Sequence, residues 1–149
     1  MQIGGIATLE AVHCKREVSV LDAALLMRQY HVGDIVVVDE VAGALLPVGI
    51  LTDRDIVVSL VAEGLDATII EAGDIMSAEL LATSEDADVH ETIERMRFKG
   101  VRRLPVVNST GHLVGIVSVD DLMEFLAEEM TELSRISSRQ QSIEKQVRR

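Results

Sequence analysis

Apolar and polar positions alternate along this chain with two different periods, and the sequence of periods occurs twice. Val20, Ala24 and Met27, with Leu21 and Leu25, recur at helical spacing, and Val89, Ile93 and Met96 do so again later. Each stripe leads into a β-rich run, Ile35-Val-Val-Val38 or Leu104-Pro-Val-Val107, then a polar turn. A second β-rich run opens near Gly49 or Gly115, a spacing that predicts a hairpin. A further helix is predicted after each hairpin, over Arg54–Glu63 and Asp120–Met130. Short strands are expected ahead of the first helices, near Ala11–His13 and Leu80–Ala82. Each half thus reads strand, helix, strand, strand, helix.

The two halves match residue by residue. Gly5-Ile-Ala-Thr-Leu-Glu10 aligns with Asp74-Ile-Met-Ser-Ala-Glu79 at an offset of 69. At the same offset Val20 meets Val89, Asp22 meets Glu91, Met27 meets Met96 and Val32 meets Val101. Gly49-Ile-Leu-Thr52 then matches Gly115-Ile-Val-Ser118 at an offset of 66, as Asp55-Ile56 matches Asp121-Leu122. The slip of three falls between Asp39–Pro47 and Asn108–His112, both read as turns, where a change of length costs little. The chain is an internal duplication.

All four long helices begin on a capping pattern: Ser19-x-x-Asp22, Thr52-x-x-Asp55, Asp88-x-x-Glu91 and Ser118-x-x-Asp121. The first side chain accepts from an orphan N–H, and the acid three residues on reaches back to the cap's own N–H. The acids also sit at the positive ends of the helix dipoles.

Composition narrows the function classes. Apolar residues make up 48%, ample for a core, but aromatics only 2%, which leaves little surface for stacking on single-stranded nucleic acid. A net charge of −11 argues against a duplex-binding face, because phosphate neutralisation needs clustered Lys and Arg. Cys14 stands alone, so neither an intramolecular disulfide nor a cysteine metal site is expected. With no signal-like start and no apolar run of about 20 residues, the expectation is a cytoplasmic protein without membrane contact. No metal-ligand spacing links His13, His31, His90 and His112, and no nucleophile elbow, P-loop or dinucleotide motif appears. Nothing in the sequence requires catalysis.

Gly49-Ile-Leu-Thr-Asp-Arg-Asp55-Ile56 and Gly115-Ile-Val-Ser-Val-Asp-Asp121-Leu122 resemble the signature of cystathionine-β-synthase (CBS) domains. Gly100-Val-Arg-Arg-Leu-Pro-Val-Val107 and the opening Asp74-Ile-Met-Ser77 are similar to other parts of the same family. The resemblance covers residues 5–70 and 74–130, leaving 131–149 as a polar tail. It implies an α+β fold of two β-α-β-β-α units about a pseudo-two-fold axis, sheets face to face and helices outside. It also implies a non-catalytic regulatory module, commonly a homodimer through its CBS helices, that needs no cofactor and binds adenine nucleotides such as AMP, ADP or ATP between its units. By that resemblance Asp55 and Asp121 accept from ribose hydroxyls, beside Thr52 and Ser118 at helix starts that suit an anion. Base contacts would come from Val32–Ile35 in one half, with Val32, Gly33 and Ile35 at the ligand, and from Val101–Leu104 in the other. In that second half Arg102 and Arg103 would lie closest to the cleft, Leu104 follows, and the family's proline, Pro105, completes the ligand-binding set. The capping reading of the same four polar residues stands beside this one, since a carboxylate serves both only if one oxygen stays free. A CBS-fold interaction module that binds a protein partner and no nucleotide is the alternative.

The halves differ in charge. Arg95, Arg97, Lys99, Arg102 and Arg103 come within nine residues without an acid, whereas their counterparts are Leu26, Arg28, Tyr30, Gly33 and Asp34. Pro105 likewise has Val36 as its counterpart. Phosphate-binding charge is therefore expected from the second half, and repulsion from Asp34 in the first. One anion site is expected, not two. In the tail, Leu126, Leu133, Ile136, Ile143 and Val147 lie near a 3.5-residue stripe interrupted by Gln140, a pattern open to a two-stranded helical contact between chains or a hold on a partner, although Ser, Gln and Arg favour a mobile, partly helical segment.

Overall fold

The computed structural model describes residues 1–79 and 81–148; Leu80, at one end of the strand expected near Leu80–Ala82, lies outside the described residues. A 3₁₀ turn at Ile3–Gly5 precedes β1 (Thr8–Leu9), β2 (His13–Lys15), α1 (Val20–Tyr30), β3 (Asp34–Val41) and β4 (Ala44–Thr52). Next come α2 (Asp53–Ile56), which widens into a π-helical turn over Val57–Val61, and α3 (Ala72–Ile75). The second half follows with β5 (Thr83–Ser84), α4 (Val89–Lys99), β6 (Arg103–Val107), β7 (Leu113–Ser118) and α5 (Val119–Val147).

Two sheets form, ordered β2-β3-β4 and β1-β7-β6-β5. In each, a short strand runs parallel to the first arm of an antiparallel hairpin. Strand alternation sorts the core into layers. Ile35 and Val37 pack with Ala23, Met27 and Leu51 under the first half's helices, and Leu104 and Val106 pack with Val89, Met96 and Leu122 under the second's. The intervening Val36 and Val38, both fully buried, face across to Leu113 and Ile116 of the other sheet. The sheets therefore pack face to face, with the helices outside.

The duplication extends to details of the backbone. A β-bulge falls between Val37 and Val38 and again between Val106 and Val107, leaving Val48 and Val114 as the extra residues on the facing strands. The hairpin turns differ. The first closes at Ala42 and Gly43, both with positive φ, so that most of Asp39–Pro47 is strand and not the long turn expected from the sequence. The second is a loop gathered by Asn108, whose Oδ1 accepts from the N–H groups of Thr110 and His112.

The opening of each half docks on the other half. Thr8 and Leu9 pair with Ile116 and Gly115, and the equivalent Ser77 bridges Ile50. Ile3 N–H donates to Ala87 C=O at 3.0 Å, and Ala72 N–H donates to Val18 C=O at 2.7 Å. Ile3 is thereby buried in the second half's core and Ala72 in the first's. These crossings explain the two signature glycines. A Cβ on Gly115 would lie 2.5 Å from Thr8 C=O, and one on Gly49 would lie 2.7 Å from Ser77 C=O.

Three expectations need correction. The early strands sit later than expected, at His13–Lys15 and Thr83–Ser84, because Cys14 and Thr83, not their neighbours, point inward beside β3 and β6. The helix expected over Arg54–Glu63 is α-helical only to Ile56, where the β-branched Val57 and Val58 meet the preceding turn and the backbone widens. The tail is not loose: α5 runs unbroken from Val119 to Val147, and every residue from Leu126 to Arg148 is exposed. No helix among the described residues is long and apolar enough to cross a membrane.

Candidate ligand site in the cleft between the halves

The end of β4 delivers Thr52 to the start of α2, and the capping chemistry there is complete. Thr52 Oγ1 accepts from Asp55 N–H at 3.0 Å, while Asp55 Oδ2 accepts from Thr52 N–H at 2.9 Å. Asp55 Oδ1 takes part in no hydrogen bond among the described residues, which leaves one carboxylate oxygen for a ligand. Ser118 and Asp121 repeat the box at 3.1 and 2.9 Å. The other two caps are half-formed. Ser19 accepts from Asp22 N–H, and Asp88 from the N–H groups of His90 and Glu91, without a returning carboxylate.

Thr52 and Asp55 open onto a cavity of about 510 Å³ whose far wall comes from the other half. That wall is the run from Gly100 to Leu104, after α4 ends on the left-handed Gly100. Ile50, Asp53 and Arg54 add to the near wall, and Ser77, Glu79 and Leu81 form its side. Six of the expected site residues thus converge: Thr52, Asp55, Val101, Arg102, Arg103 and Leu104. The others do not line this cavity. Ile35 is fully buried in the first core, because strand alternation turns it toward α1, and Pro105 is buried within β6. Asp121 lines a separate pocket with Met1, Gly5 and Ile6, Val32 and Ser118 line neither pocket, and Gly33 C=O accepts from the N–H of Asp53 at 2.9 Å behind the near wall.

Arg103 Nε lies 2.6 Å from Asp34 Oδ2, so the cation of one half meets the anion of the other. The Nε–H is not aimed at that oxygen and finds no acceptor although it is buried. The contact is therefore an ion pair without a hydrogen bond, and one donor of Arg103 is left unsatisfied. Burial pushes the Asp34 carboxyl above the usual carboxylate range; Arg103 opposes that rise, while Asp53 and Asp121 add to it. Of the basic run on the second half, only Arg102 and Arg103 reach the cavity, where Arg54 joins them. Arg95 instead donates to Ala82 C=O at 2.8 Å, and Lys99 stands over the Phe98 ring.

Ser77, Glu79 and Leu81 escaped the sequence reading, although their place in the repeated opening segment was visible. What hid them was the crossing of that segment onto the other half. Arg54 and Asp53 lay within the quoted motif without being singled out.

Comparison with known proteins settles what this architecture is. The family model described as "CBS domain" matches residues 3–62 and again residues 72–128. The chain belongs to the CBS domain family. Among solved structures, this CBS pair is similar to a CBS domain protein from Pyrobaculum aerophilum complexed with AMP. The identity is 26%, the TM-score 0.74, and 82% of this chain and 90% of that one are covered. It is also similar to Hypoxic Response Protein I, solved with two coordinated zinc ions, at 28% identity and TM-score 0.73 over 83% of this chain and 98% of that one. An uncharacterized protein of Methanopyrus kandleri is 33% identical over 83% of this chain, which spans 62% of that relative's length. Among the described residues of this CBS pair, no group of three His, Cys, Asp or Glu side chains is placed to hold a metal ion.

Proposed function

We propose that this CBS pair is a non-catalytic sensing module that binds one adenosine-type nucleotide (AMP, ADP or ATP) per chain, in the cavity between Thr52–Asp55 and Val101–Leu104. The observation that carries this reading is the convergence of those two segments, from opposite halves, on one cavity of about 510 Å³. Val101, with Ile50 and Leu81, supplies apolar walls for a base, while Leu104, buried in its own core like its counterpart Ile35, closes the cavity from behind. The free Oδ1 of Asp55 accepts from sugar hydroxyls. Arg54, Arg102 and Arg103 line the same cavity and supply the charge for the phosphate. The AMP complex of the Pyrobaculum relative supports the ligand class. A nucleotide held by both halves favours the arrangement in which they are closest, so binding shifts the population of relative orientations.

The chain acts as a homodimer in this reading. Leu21 and Leu25 on α1, with Val57, Val58 and Val61 beyond α2, leave apolar side chains exposed on the outer helices of the first half. The same patch favours a second reading, in which the pair serves as an interaction module for a protein partner and binds no nucleotide. Thermal unfolding with AMP, ADP and ATP separates the two. Ligand at 100 times its Kd adds about 2.7 kcal/mol to stability, whereas an unchanged midpoint across all three leaves the interaction reading ahead.

A further inference from the structure

The long helix α5 has no use in the nucleotide cleft, and beyond its first turns it packs on nothing in its own chain. From Leu126 onward every described residue is exposed, yet Leu126, Leu133, Ile136, Ile143 and Val147 form one apolar stripe. An isolated helical segment of this length, rich in Ser and Gln, is marginal in water without packing along one face. Its spacing is a heptad seam, with Leu126, Leu133, Gln140 and Val147 at one core position and Glu129, Ile136 and Ile143 at the other; Leu122, one heptad earlier, is already buried in its own core.

Charge decides the occupant. The N-terminal part carries Asp120, Asp121, Glu124, Glu128, Glu129 and Glu132 with no base, and the C-terminal part carries Arg135, Arg139, Lys145 and Arg148 against Glu144 alone. A parallel pair of such helices sets acid beside acid, base beside base, and Glu129 against its own copy in the seam. An antiparallel pair sets each acidic part beside a basic one.

We infer that α5 pairs side by side and antiparallel with α5 of a second copy of this chain. One register satisfies the whole seam. Leu126 packs on Ile143 of the partner and Leu133 on Ile136. In the same register Glu129 meets the partner's Gln140, so the two polar interruptions of the stripe face each other and the carboxamide donates to the carboxylate. Glu132 then flanks the partner's Arg139, twice by symmetry. The register also carries the partner's Val147 to the apolar groove between α4 and α5 that Ile93, Val101, Leu122, Met123 and Leu126 line.

Cysteine cross-linking tests both contact and direction. Leu126→Cys and Ile143→Cys chains are co-expressed, oxidised mildly and run on a non-reducing gel beside each variant alone. Within an antiparallel pair, each new cysteine lies roughly 25 Å along the axis from its own copy but opposite the other variant's. The expected result is a disulfide-linked dimer from the mixture and none from either single variant, while the buried Cys14 of the unaltered chain stays unlinked. Linkage in the single variants overturns the direction, and no linkage in the mixture overturns the pairing. Glu132→Arg is expected to weaken the α5 contact about tenfold, with recovery in Glu132→Arg/Arg139→Glu. Because both residues are exposed, the body stays folded in either variant. A charge reversal without effect also contradicts the antiparallel register.

Discussion

At equivalent positions, where β3 and β6 begin, the first half carries Asp34 and the second carries Arg103, and the fold brings the two within 2.6 Å. Two copies of one unit related by a two-fold axis must set some position against its own counterpart. Had both halves kept Asp there, or both Arg, like charges would meet in a partly buried place. Opposite charges at that position make the contact attractive and leave the halves chemically unequal. The backbone has meanwhile stayed the same, with matching bulges, crossings and capping boxes. A duplicated scaffold thus holds its geometry while side chains near the axis specialise.

The strongest perturbation of the shared geometry is at the crossing glycines. Gly115→Ala forces a methyl group against the Thr8 backbone, and a cost at the upper end of about 1–3 kcal/mol is expected in urea unfolding. Gly49→Ala should cost less, since part of its obstruction is the movable Met76 side chain. Equal costs would mean that the two crossings are equally rigid.

A sharper contrast comes from the two capping acids. Asp55→Ala and Asp121→Ala each remove half of a capping box and should each lower stability by about 1 kcal/mol. Only Asp55→Ala also removes an acceptor from the cavity, so AMP affinity should fall roughly 10- to 100-fold there and hold in Asp121→Ala, as calorimetry would show.

A smaller effect is expected at Asp34. Burial raises its carboxyl pKa, so the folded state binds that proton more tightly than the unfolded state does. The cost of the charged form is therefore present above the folded value and relieved as pH falls through it toward the unfolded one. Asp34→Asn should remove this loss of stability on raising the pH through that window, measured as unfolding midpoint against pH. It should also release Arg103 and tighten AMP binding by about threefold. Least of all, Cys14 is buried with its thiol pushed up to about 11, so a thiol reagent at neutral pH should label it only after unfolding.

Much of this was legible in the chain. The duplication, the hairpins and the four caps follow from local spacing, which sequence displays directly. Thr52, Asp55 and the run from Val101 to Leu104 were legible as separate segments. Their convergence was not, since it depends on how the halves pack. The crossing strands escaped because Thr8 and Leu9 are a two-residue strand with both side chains exposed, which leaves no alternation to read. The Asp34–Arg103 contact escaped for a related reason: equivalence by offset was visible, but proximity across an axis was not. In the tail, the stripe was legible, yet Ser and Gln masked the continuity of α5.

The most direct test of the central claim is a calorimetric titration of the whole chain with AMP, repeated on Asp55→Ala and Asp121→Ala. One nucleotide should bind per chain, through the cleft that Arg102 and Arg103 face, with the heat lost in the first variant and kept in the second. Two equivalent sites per chain, or heat that survives in Asp55→Ala and vanishes in Asp121→Ala, would show that the unequal halves do not make unequal clefts.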